Sequence, residues 1–176
     1  MADLIVTYLE MRARPTLTVT RPFRTAMLLR LEDPTVAFYR YLYSAVGAQW
    51  GWTTRSGMSD ADLSAVISDP LVDVFVLYQG GVPAGFFELD RRAPGDVELV
   101  HFGLTPDFIG RGLGKPLLAA AIEAAWDDDP ERVWVKSTNL DHPRGLLTYQ
   151  WAGFVPFREE RVSGTQVPAF DPKPDR

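Results

Sequence analysis

The chain has 176 residues, 46% of them hydrophobic, enough for one domain with a substantial core. A net charge of −5 and a pI near 5.0 argue against a general nucleic-acid binder, which would present a basic face. Cysteine is absent and the only histidines are His101 and His142, so disulfides and a cysteine nucleophile are excluded and no metal site is expected. The N-terminus, MADLIVTYLEM, lacks the basic stretch of a signal peptide, and no apolar run is long enough to span a membrane; the expectation is a soluble cytoplasmic protein without membrane or nucleic-acid partners.

Leu4 to Met11 reads as a strand, and Thr16–Thr20 and Ala26–Leu31 are also strand-like, with Pro15 and Pro22 marking turns. Arg12, Arg14, Arg21, Arg24 and Arg30 lie here and are read as solvated strand faces. Asp33-Pro34 predicts a helix start, with Asp33 as N-cap and Pro34 in the first position, and Gly47 predicts its stop. Tyr39 and Tyr43 share one face of that helix, and Trp50 and Trp52 follow it. Ser59 and Asp62 form a capping-box pair opening a second helix, which Asp69-Pro70 ends.

Val72–Tyr78 and Pro83–Arg91 read as strands joined through Gly80-Gly81, a hairpin signal. Val97 to Asp127 then runs strand, glycine loop, helix: apolar residues to Leu104, the turn Gly110-Arg111-Gly112-Leu113-Gly114, and helical spacing of Leu117, Leu118, Ala121, Ile122 and Ala125. Arg132–Ser137 is a strand expected parallel to the Val97 strand through a right-handed crossover. Pro143–Trp151 is a short helix ended by Gly153, and Phe154–Val162 a last strand. Residues 1–162 read as one domain, and 163–176 as a polar, Pro-rich tail expected to be poorly ordered.

A strand, glycine loop and helix in this order make an anion site, because the first N–H groups of a helix have no internal partner and carry partial positive charge. The spacing fits neither common nucleotide loop. Pro116 follows Lys115 where a Walker loop needs a hydroxyl residue, and Gly114 is misplaced for a dinucleotide fingerprint.

The segment Ile109-Gly110-Arg111-Gly112-Leu113-Gly114 resembles the acetyl-CoA motif of the GNAT N-acetyltransferases, [QR]-x-x-G-x-[GA], with Ile109 in place of the polar first residue. Downstream, His142 to Phe154 resembles the family's N-x-x-A-x-x-x-Y-x-x-x-G-F, with Tyr149, Gly153 and Phe154 in register, Gly145 for Ala and His142 for Asn. The two motifs cover roughly residues 97 to 155. The resemblance implies an α/β (α+β) fold: a mixed, mostly antiparallel sheet with a central splayed parallel pair, flanked by helices. It further implies an acetyl-CoA-dependent N-acetyltransferase, monomeric or homodimeric, acting on a primary amine of a small molecule, amino acid or peptide. A GNAT-fold acyl-CoA sensor without catalysis is the alternative.

Within that resemblance, backbone groups of Phe102, Gly103 and Leu104 would pair with the pantetheine arm. The loop Ile109, Gly110, Arg111, Gly112, Leu113, Gly114 and Lys115 would hold the pyrophosphate, and Tyr149 would protonate the departing thiolate. Tyr39, Tyr43, Trp50 and Trp52 would wall the acceptor pocket, or simply pack. His142 would cap a helix, touch CoA or reach the acceptor. Glu98, an acid in an apolar strand, is the leading general base. His101 is its rival, since imidazole ordinarily titrates near neutrality; a water chain is a third route. Strict alternation places Glu98 and His101 on opposite faces of the strand unless a bulge intervenes.

Overall fold

A computed structural model describes residues 3–20 and 25–163. In chain order the elements are β1 (Leu4–Met11), β2 (Ala26–Arg30), α1 (Val36–Gly47), α2 (Asp60–Ile67), β3 (Val72–Gln79), β4 (Val82–Asp90), β5 (Asp96–Leu104), α3 (Gly114–Ala125), β6 (Arg132–Thr138), α4 (Gly145–Trp151) and β7 (Val155–Val162). Among the described residues these strands form one sheet in the order β2-β3-β4-β5-β6-β1-β7. Its neighbours are antiparallel except β5 and β6, which run parallel through the α3 crossover. The expected mixed sheet with a central parallel pair is therefore present.

Alternation along the strands divides the core between the two faces of the sheet. Phe87, Leu89, Val97, Leu99, Val133 and Val135 pack against Leu117, Leu118, Ala121 and Ile122 of α3 and Tyr149 of α4. Val74, Val76 and Phe86 turn the other way, against Tyr39, Leu42, Tyr43 and Val46 of α1 and Leu63 and Ile67 of α2. Burying one leucine-sized side chain stabilises by roughly 1.5–3 kcal/mol, so these two layers anchor the helices to the sheet.

Local signals explain most boundaries. Ser59 Oγ accepts from Asp62 N at 3.1 Å and starts α2 as the capping pair predicts. Gly80 and Gly81 both have positive φ, 59° and 82°, the backbone a two-residue hairpin demands. Four expectations are corrected. Helix α1 begins two residues later than Asp33-Pro34 suggests, because Thr35 supplies the cap, its Oγ1 accepting from Phe38 N at 3.3 Å. Gly47 lies inside the helix; the stop comes after a 3-10 turn over Ala48–Trp50, at Gly51 with φ 70°. Thr16–Thr20 is not a strand: Leu17 packs on the α3-side core and the segment pairs with no sheet edge. Helix α4 starts at Gly145 rather than Pro143. Arg21, Pro22, Arg24 and the tail from residue 164 lie outside the described residues. Arg12 and Arg30, as expected of solvated strand faces, are half or more exposed, and they pair with Glu10 and Asp73.

Candidate active site

The parallel ladder between β5 and β6 stops at Leu99–Val135, although β5 continues to Leu104 and β6 to Thr138. Beyond that point the strands part. Meanwhile β5 stays paired with β4 and β6 with β1, so the gap opens in the middle of the sheet. A cleft of about 800 Å³ occupies the gap and runs from the glycine loop to the aromatic residues after α1.

A bulge sits where the strands part. Leu89 pairs with Leu99 and Glu88 with His101, leaving Val100 as the extra residue. Directly paired residues share a face. Glu98, opposite Asp90, and His101, opposite Glu88, therefore both face α1, the exception that strict alternation left open. Phe102, opposite Phe87, faces the other way and meets the Tyr149 ring at 6.0 Å.

At the far end of the cleft, α3 begins at Gly114 with no side-chain cap. Gly110 and Gly112 adopt φ of 79° and 77°, and a Cβ on either would meet nothing within 4 Å. Conformation, not crowding, selects glycine here. The turn leaves the first N–H groups of α3 facing open space, where a phosphate is favoured. Ile109, Gly110, Gly112, Gly114 and Lys115 line the cleft. Arg111 and Leu113 do not: Arg111 stacks over the Phe108 ring at 4.9 Å, and Leu113 is a core side chain, so only their backbones are in reach. Lys115 Nζ rests over the Trp151 ring at 4.5 Å.

At the near end, Tyr43, Trp50 and Trp52 line the cleft beside His101. The Tyr43 and Trp52 rings both lie 5.0 Å from the imidazole. Trp50 meets His142 edge-on at 5.3 Å, joining the segment after α1 to the loop after β6. His142 Nδ1 also accepts from Arg144 N at 3.1 Å, just ahead of α4, which has no side-chain cap. Tyr39, expected in the acceptor pocket, is fully buried behind this wall; it borders a separate hollow of about 300 Å³ together with Arg55 and Leu63.

Behind His101 lies a buried polar cluster that sequence reasoning missed. Glu88 is 0% exposed. Its Oε2 accepts from the Tyr39 hydroxyl and lies 3.2 Å from His101 Nδ1, while its Oε1 accepts from Arg55 Nη2 at 2.5 Å. Burial by itself would raise the carboxyl pKa, but bonds and charges from His101, Arg55 and Tyr39 outweigh it and hold the group down to about 2. Burial and the Glu88 charge push the Tyr39 phenol well up. The signal for Glu88 was the one used for Glu98, an acid within an apolar strand. Nothing in Gly51–Gly57 marks Arg55.

Glu98 sits elsewhere. It is half-buried, outside the cleft lining, and paired with Lys136 Nζ at 3.1 Å. Burial raises its pKa, and the Lys136 charge only partly opposes this. Tyr149 lines the cleft and is 8% exposed; burial, then the Asp141 charge, pushes its phenol well above the usual range. Asp141, also missed, joins the cleft wall, its Oδ2 accepting from Thr138 N at 2.6 Å; burial raises its carboxyl pKa.

The model of the Acetyltransferase (GNAT) family matches residues 32–154. The chain belongs to the GNAT acetyltransferase family. No curated protein matches its sequence. Solved structures share the GNAT fold at low identity. A GCN5-related N-acetyltransferase from Sphaerobacter thermophilus superposes with a TM-score of 0.65 and 15% identity, over 90% of this chain and 50% of that one. An aminoglycoside acetyltransferase from an uncultured soil metagenomic sample gives 0.62 and 16%, over 85% and 100%. A conserved protein of unknown function from Staphylococcus epidermidis gives 0.58 and 15%, over 90% and 60%. The chain thus spans half to three-fifths of the length of two of these GNAT-fold proteins. Among the described residues there is no group of potential metal ligands and no helix long and apolar enough to cross a membrane.

Proposed function

We propose that this GNAT protein is a cytoplasmic N-acetyltransferase that moves an acetyl group from acetyl-CoA to a primary amine by direct attack in a ternary complex. The amine belongs to a small molecule, amino acid or peptide. One observation carries the reading: a single cleft connects an uncapped, glycine-opened helix N-terminus to a buried imidazole, through a gap between parallel strands. The residues fit acetyl-CoA. The backbone at Gly110–Lys115 suits the pyrophosphate, and the edge of β5 from Val100 to Leu104, released from β6, suits the amides of the pantetheine arm. When bound, acetyl-CoA would supply the activated acetyl thioester.

The chain's own groups answer the remaining demands. An alkylammonium, pKa about 10, must lose a proton before it can attack. The geometry favours His101 over Glu98 as its acceptor, because His101 lines the cleft whereas Glu98 lies outside it under Lys136. Tyr149 is kept protonated by burial and stands in the cleft to return a proton to the thiolate. Tyr43, Trp50 and Trp52 present ring faces that attract an apolar or cationic acceptor. The soil aminoglycoside acetyltransferase gives a precedent for a small amine on this fold.

The test is thiol release from acetyl-CoA across a panel of amines, amino acids and peptides. Turnover with one class supports the reading; acetyl-CoA binding without turnover on any amine supports the sensor instead. With an active amine in hand, His101→Gln should abolish most turnover and Glu98→Gln should spare it. The reverse result returns the base to Glu98.

A further inference from the structure

We propose that Glu88 is a positioning residue: it fixes the His101 ring so that Nδ1 carries the proton and Nε2 is free to take one from the acceptor amine. This rests on the acetyl-transfer reading above but concerns a residue that neither motif contains. The argument is one of donors and acceptors. Glu88 has no exposure, and each of its partners treats it as an acceptor: the Tyr39 hydroxyl and His101 Nδ1 at Oε2, and Arg55 Nη2 at Oε1. An ionised carboxylate has no proton to give, so the hydrogen in the 3.2 Å contact belongs to His101 Nδ1. In a neutral imidazole the other nitrogen is then the lone-pair atom. Nδ1 is anchored in the core, which leaves Nε2 as the ring nitrogen available to the cleft that His101 lines. Tyr43 and Trp52, each 5.0 Å away, hold the ring plane. When Nε2 gains the amine proton, the resulting imidazolium stands beside a carboxylate already in place, with no water to reorganise.

Arg55 sharpens the test. In Glu88→Gln, its guanidinium requires an acceptor and claims the amide oxygen. The amide NH2 then faces His101, and Nδ1 must become the acceptor. The side chain keeps its shape while the ring's proton moves to Nε2, blocking the nitrogen that works.

The experiment is nitrogen NMR of the 15N-labelled full chain at a pH where both rings are neutral, with His142→Gln identifying the His101 signals. The expected wild-type pattern is a protonated Nδ1 and an unprotonated Nε2, and Glu88→Gln should exchange the two. Turnover should fall about 100-fold or more, within the range of a general base, with the KM for acetyl-CoA unchanged. A wild-type His101 protonated on Nε2 overturns the proposal, and so does a Glu88→Gln enzyme of full turnover. The wild-type spectrum decides the tautomer even if the variant fails to fold. A wild type that turns over no amine defeats the enzymatic reading alone, since the spectrum still decides whether Glu88 sets the ring.

Discussion

Replacing Arg55 with methionine should flatten the way stability responds to pH. Arg55 is 8% exposed and supplies the charged partner of Glu88 Oε1 at 2.5 Å. In the wild type the Glu88 pKa falls from 4.5 to about 2, which corresponds to roughly 3 kcal/mol of stability. Because the folded pKa is depressed, that contribution is present above pH 4.5 and is lost as pH falls toward 2. Methionine fills much of the volume but removes the charge, and breaking one side of a buried pair costs about 3–5 kcal/mol at neutral pH. Without that charge the Glu88 pKa moves up from its wild-type value, while His101 and Tyr39 still act to lower it. The variant therefore keeps less of the stability that the wild type holds above pH 4.5. Urea unfolding at intervals from pH 2 to 7 measures both curves. The gap between wild type and Arg55→Met should widen with pH, reaching about 3 kcal/mol or more at pH 7. A gap that stays below about 0.5 kcal/mol, or does not change with pH, would refute the cluster's energetics.

The other predictions concern the two ends of the cleft. Gly112→Val places a β-branched residue at φ 77°, at a conformational cost of about 1–2 kcal/mol, and turns away the N–H groups meant for phosphate. Acetyl-CoA affinity by calorimetry should drop about 10-fold or more, and unchanged affinity would remove the loop from the site. Tyr149→Phe should lower turnover roughly 100-fold with acetyl-CoA affinity intact, as steady-state kinetics with equilibrium binding would reveal. In Gly47→Ala the new Cβ would lie 2.3 Å from Trp52 Cε3, so the indole must move. Overpacking of about 1–3 kcal/mol should lower the melting temperature by roughly 2–12 °C, and the KM for the acceptor should rise with that for acetyl-CoA unchanged.

Much of the fold was written locally. Ser59 and Asp62 announced α2, Gly80-Gly81 the hairpin, and the glycine run before Leu117 the loop ahead of α3. The errors arose where two local signals competed. Asp33-Pro34 is a good helix opening, but Thr35, two positions on, has a hydroxyl that reaches Phe38 N. Thr16–Thr20 has the β-branched content of a strand, yet strand formation also needs a free edge, which composition does not reveal. At the site, the glycine loop and Tyr149 were legible in the cleft wall because they depend on glycine and on motif register. The middle was not. The extra residue Val100 changes which side chains share a face, and a bulge leaves no mark in the letters. Arg55 reaches Glu88 across 33 positions, a meeting only the folded chain can display.

The placement of β1 carries a consequence for how the molecule comes together. Leu4–Met11 lies between β6 and β7, hydrogen-bonded to residues 133–138 on one side and 155–162 on the other. Within this sequence the strand must therefore wait for residues about 120 positions downstream before it finds either neighbour. Such distant pairing delays folding, because the long loop has to close before its contacts repay the entropy. It also ties β1 to the cleft: β1 supports β6, and β6 is one lip of the gap. Cutting away the first eleven residues would strand β7 and leave that lip without its outer neighbour.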